Sequence, residues 1–145
     1  MQITIECVPL HILGVTDQTG PIDTHWLDLD NRGTAPTSVS MEIRVWGENK
    51  PTTFVVSVNG NNMFRLYTGG YFLKGDLIRL DTSPDNRSIS FTRGTYTGDL
   101  LDRVTGTSKW FEIPPGVSQL NVMGNVTPNP YKIEKITTTR RYWGA

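Results

Sequence analysis

A single cysteine, Cys7, stands in a chain of 145 residues. That excludes an intramolecular disulfide and any cysteine-based zinc site. An excess of charge of one sign is missing too. Fourteen Lys and Arg balance fourteen Asp and Glu, so the chain lacks the positive field on which nucleic-acid binding relies. No apolar run approaches the ~18 residues of a membrane-spanning helix. The opening MQITIE has neither a basic stretch nor the apolar core of a secretory leader. Neither a nucleic-acid partner nor membrane insertion is therefore expected. Helical periodicity is absent as well: nowhere do apolar residues recur at helical spacing over successive turns.

What is present suits one folded domain. Hydrophobic residues make up 37% and charged residues 19%, which is not the composition of a disordered chain. A chain near this length buries roughly 68–70% of its unfolded surface, enough for a core without metal or disulfide.

Two-residue alternation recurs throughout. MQITIECV sets Ile3, Ile5 and Cys7 against Gln2, Thr4 and Glu6. THWLDLD turns Leu27 and Leu29 inward, and SMEIRVW places Met41, Ile43 and Val45 opposite Glu42, Arg44 and Trp46. SQLNVMG alternates Leu120 and Val122 with Asn121 and Met123. YKIEKITT reads as Tyr131, Ile133 and Lys135 against Lys132, Glu134 and Ile136. TFVVSVNGNNMFRLY is a hairpin about Asn59-Gly60, since both central residues of a type I′ turn need positive φ. DLIRLDT and RSISFT flank a second tight connection, SPDN. Short strands with turn signals every ~8–12 residues predict an antiparallel sandwich.

The stretch KWFEIPPGVSQL marks a corner. Pro115 fixes φ for the first central position of a turn and Gly116 supplies positive φ at the second. Trp110 and Phe111 are neighbours, so in extended chain they face opposite ways, one into the core. RGTYTGDLLDRVTGTSKW lacks clean alternation and reads as a loop or short helix that covers the sandwich or touches a neighbour.

Each chemical reading has a plainer rival. His11 and His25 have no ligand-spaced Cys or carboxylate near them, and no serine sits in a nucleophile elbow. DLDNRG fails the calcium-loop pattern, with Arg32 at the fifth place and Val39 at the twelfth. It reads instead as a turn in which Asp30 and Asn31 bond local backbone. Asp99 and Asp102 read as solvated loop charges rather than a hydrolytic pair. No metal, cofactor or enzymatic activity is expected. The tryptophans and tyrosines are candidates for core, interface or a sugar-stacking platform. No array of lectin type is legible on two adjacent strands.

The order of these pieces resembles the galectin-like β-sandwich at the C-terminus of siphophage distal tail proteins and of related minor tail proteins. The resemblance rests on Gly33-Thr34-Ala35-Pro36, on Gly75-Asp76 running through Asp81-Thr82, and on Pro115-Gly116. It spans residues 22–124. It implies an all-β, galectin-like or jelly-roll-type sandwich with an extended C-terminal arm. Residues 1–21 then form an N-terminal strand or arm, 22–125 the sandwich and 126–145 the C-terminal strand or arm. The family's ring-forming N-terminal domain has no room here, which implies a stand-alone minor tail protein in the virion, packed in a homo-oligomeric ring against other tail proteins. Arg and large aromatics are typical of interface hot spots. Trp110, Arg140, Arg141, Tyr142 and Trp143 are accordingly the expected interface residues. The C-terminal group is expected on an arm that leaves the sandwich. The rival expectation is a carbohydrate-binding module that contacts a host surface glycan.

Overall fold

Alternating apolar residues build ten strands among the described residues. They are β1 (Leu10–Thr19), β2 (Trp26–Asn31), β3 (Val39–Val45), β4 (Thr53–Val58), β5 (Asn61–Tyr67), β6 (Leu77–Asp81), β7 (Ser88–Arg93), β8 (Tyr96–Asp99), β9 (Gly116–Met123) and β10 (Tyr131–Trp143). The computed structural model describes the backbone of residues 10–19 and 24–143 and the side chains of residues 24–138. The strand predicted in MQITIECV lies outside the described residues.

The strands form two antiparallel sheets, one of six in the order β1-β10-β3-β6-β7-β8 and one of four in the order β2-β9-β4-β5. This is the predicted sandwich. Its interior is where the inner faces meet: Met41, Ile43 and Ile78 of the larger sheet against Phe54, Phe64 and Leu120 of the smaller, all with 1% exposure or less. Tyr131 and Phe54 join the two sheets edge to face, with ring centroids 5.2 Å apart.

The predicted turns are in place. Asn59 and Gly60 take φ of 52° and 84° between β4 and β5. Gly116 takes φ of 95° at the Pro-Gly corner. Phe111 is buried. The segment after β8 makes a short 3₁₀ turn, Leu101–Arg103, then runs along the outer edge of β5. There the Thr105 N–H donates to the Arg65 carbonyl, the Lys109 N–H to the Met63 carbonyl, and the Ser108 hydroxyl to Arg65 O. That cover blunts an edge that would otherwise present unpaired backbone groups.

The C-terminal segment departs most from expectation. Residues 131–138 pair with β3 on one side, and 136–143 pair with β1 on the other. Most of the expected arm is thus an internal strand, because Tyr131, Ile133 and Ile136 belong to the core. Only residues 139–143 run past β3, and they do so as a ribbon with β1. Strict alternation would put Tyr131, Ile133 and Lys135 together on one side of this strand. A bulge between Ile133 and Lys135 changes it. Glu134 is the extra residue, so Glu134 and Lys135 both face outward and Ile136 turns inward.

Deleting Glu134 should therefore leave the core register intact, with Ile133 still opposite Ile43 and Lys135 still opposite Glu42. We expect a folded protein that loses about 1 kcal/mol or less in urea denaturation. Deleting Ile133 instead delivers Glu134 to the inner position and should abolish the cooperative transition. Tyr131 gives a second check. Burial pushes its hydroxyl above the ordinary tyrosine pKa, while its O–H donates to the Thr53 carbonyl at 3.1 Å. The folded form then keeps a proton that the unfolded chain releases above about pH 10. Stability should fall as pH rises past that point, by up to about 1.4 kcal/mol per pH unit from this group. Tyr131→Phe should lose about 1 kcal/mol at neutral pH and show a shallower alkaline decline.

Candidate functional site

The end of β3 is where polar groups converge. Val45 is tied twice to the 73–76 turn: its N–H donates to the Asp76 carbonyl at 2.9 Å, and its carbonyl accepts from the Gly75 N–H at 2.7 Å. Trp46 follows, its N–H donating to the Pro130 carbonyl at 2.7 Å. Alternation along β3 sends Arg44 and Trp46 to the outer face. The bulge in β10 sends Glu134 to meet them.

Arg44 donates from Nε and Nη2 to the two carboxylate oxygens of Glu134, at 3.2 and 3.1 Å, and from Nη1 to the Gly75 carbonyl at 3.0 Å. Lys132 stands opposite Arg44 in the ladder. Like charges placed so oppose each other. Here Glu134 offsets Arg44, while the Lys132 ammonium sits 5.0 Å from the Trp46 ring centroid. Further along the same face, Glu42 takes Arg79 and Lys135 at 3.7 and 3.6 Å. Between β3, β10 and the 73–76 turn lies an open cleft of about 310 Å³, lined by Arg44, Val45, Trp46, Lys74, Gly75 and Glu134. Trp46 is 47% exposed.

The wall that carries Lys74 and Gly75 is anchored from beneath. Asp76, 1% exposed, accepts from Arg93 Nε at 2.8 Å and Nη2 at 2.7 Å, and from the Leu73 N–H at 2.9 Å. The hydrogen bond to Asp76 raises the Arg93 pKa against an opposing desolvation, so this cation stays charged at any working pH. Arg93 also donates to the Tyr71 carbonyl, and the Tyr71 ring lies between the Arg93 and Arg103 guanidinium groups at 5.2 and 4.7 Å.

The expected site residues fall elsewhere. Trp110 is half-buried and packs on Phe64, with centroids 5.0 Å apart, so much of its ring serves the sandwich itself. The backbones of Arg141, Tyr142 and Trp143 pair with Ile12, His11 and Leu10. The side chains of Arg140, Arg141, Tyr142 and Trp143 lie outside the described residues. The structure brings together Arg44, Trp46, Lys132 and Glu134, an arrangement on two adjacent strands that the sequence did not reveal. The signal was there in part, since Arg44 and Trp46 share a face of β3. What hid the rest was the pairing partner.

Other candidates resolve as local structure. Asn31 Oδ1 accepts from the Gly33 N–H, and its amide donates to the Ala35 and Ile113 carbonyls, so the Asn31 part of the DLDNRG turn is as read, while Asp30 pairs with the Arg32 side chain. Asp99 caps the Leu101 N–H. Among the described residues no group of three His, Cys, Asp or Glu side chains is placed to hold a metal ion.

Removing the anchor has a definite cost. Arg93→Ala leaves the Asp76 carboxylate buried without its cation, and should lower stability by about 2–4 kcal/mol in urea denaturation. Arg93→Lys should recover only part, because an ammonium cannot reproduce the two-pronged contact. Compared with protein-family models and with curated proteins, the chain matches none.

Proposed function

We propose that this chain is a structural subunit of a long-tailed phage virion, a non-enzymatic minor tail protein at or near the tail tip. It assembles as a ring of like copies and packs against other tail proteins. The ordered motifs described above support the family assignment. The observation that carries the assembly role is the β1–β10 ribbon. β1 ends the larger sheet, and among the described residues no strand lies on its outer side. Its first residues run beside 141–143, beyond the end of β3. A ten-residue edge strand is a template for a strand of another chain.

Two further features favour dense packing. Exposed Tyr71 and Tyr96 both contact Phe91 near Arg93 and Arg103, and tyrosine with arginine is typical of interface hot spots. Zero net charge keeps repulsion between many copies small. Closed rings repeat one interface, and stable contacts bury about 1,200–2,000 Å² each.

Removing residues 126–145 deletes a strand paired on both sides, so truncation reads folding rather than assembly. Proline at alternate positions of β1 is the better probe, since only N–H groups facing away from β10 can be lost without breaking the ladder. Light scattering should find concentration-dependent oligomers in the parent protein and monomers in the outward-facing proline variants, with equal melting temperatures. Antibody labelling should find the protein at the tail tip of intact virions. A protein that is monomeric at every concentration and missing from virions would discard the proposal.

A further inference from the structure

We propose that the cleft at the end of β3 binds an acidic saccharide, a pyranose bearing a carboxylate. Trp46 stacks beneath the ring and Lys74 pairs with the acid. The inference stands on the cleft alone and does not require the assembly role.

Three observations converge. The first is size: about 310 Å³ lies at the lower end of the ~300–1,000 Å³ of small-ligand sites and suits one or two sugar rings. The second is the donor and acceptor set. Each Glu134 oxygen takes one bond from Arg44 and keeps lone pairs for sugar hydroxyls. Arg44, already engaged with Glu134 and the Gly75 carbonyl, retains further N–H donors on the same fork. An indole supplies the flat apolar surface against which a ring's C–H face packs. The third is charge. Arg44 and Glu134 cancel, whereas no ion pair of Lys74 occurs among the described residues, so the lining carries a net positive charge.

The cleft is also preformed. Backbone bonds to Asp76, Gly75 and Pro130 fix residues 45–46, and the Arg93–Asp76 pair fixes the opposite wall. The backbone of the cleft therefore needs little ordering on binding, and the cost falls on the exposed Trp46 and Lys74 side chains.

Isothermal titration with three probes tests this: a tetrasaccharide alternating glucuronate and N-acetylglucosamine, neutral chitotetraose, and a triglutamate peptide. The acidic tetrasaccharide should bind saturably and about tenfold or more tighter than the other two. Trp46→Ala and Lys74→Ala should each weaken it by about tenfold. Trp46→Phe should restore part of the loss, and Tyr67→Ala, on the other sheet, should change nothing. Equal binding of chitotetraose would overturn the assignment of charge, and equal binding of the peptide would overturn the sugar. No saturable binding, or binding indifferent to Trp46→Ala, would overturn the site itself.

Discussion

One extra residue in the last strand sets both faces of the larger sheet. Without the bulge at Glu134, strict alternation would carry Lys135 into the interior beside Ile133 and turn Ile136 to solvent. With it, Tyr131, Ile133 and Ile136 reach the core while Lys132, Glu134 and Lys135 all remain outside. The same irregularity delivers a carboxylate to Arg44. Core register and outer-face chemistry are thus two results of one backbone event.

The bulge matters because β10 is not peripheral. It lies between β1 and β3, so it joins the N-terminal strand to the body of the sheet. Its first residue, Tyr131, reaches across the sandwich to Phe54 and is also within 6.5 Å of Phe72. A slip in this strand would disturb pairing on both sides and the aromatic contact between sheets. The edges show a contrasting economy. The segment after β8 shields β5, an edge of the smaller sheet, with backbone and Ser108 hydrogen bonds, whereas β1, an edge of the larger, has no strand on its outer side among the described residues. An edge left in that state is a place where a strand can be added.

Much of the fold was legible because local rules agreed with tertiary ones. Asn59-Gly60 and Pro115-Gly116 demand positive φ, and the chain provides it at both places. Alternation in β3 and β9 gives the inner and outer sides directly. The strand 131–143 was less legible, because a bulge leaves no mark in composition and shifts every later residue by one. The Asp76 bond to the Leu73 N–H is local turn chemistry, but its Arg93 partner lies seventeen positions away across a hairpin. The cleft was hidden for the same reason. Arg44 and Glu134 are ninety residues apart, and only the β3–β10 ladder makes them neighbours. Trp110 shows a different limit: residue type alone does not tell that part of its ring packs against the domain's own Phe64.

The two proposed surfaces do not compete for space. Adding a strand at β1 extends the sheet in its own plane and leaves the faces as they were. The cleft lies on the outer face at the end of β3, with β10 between it and that free edge. In a ring joined through β1, each copy would carry its cleft at the same height and in the same orientation. An open cleft of this volume, with one stacking ring and one cation that has no ion pair among the described residues, would hold a single saccharide weakly. Repetition around a closed ring changes that arithmetic, since each engaged site raises the effective concentration of ligand at the next by linkage alone. A preformed but modest cleft would then be enough for an assembled, many-copy contact.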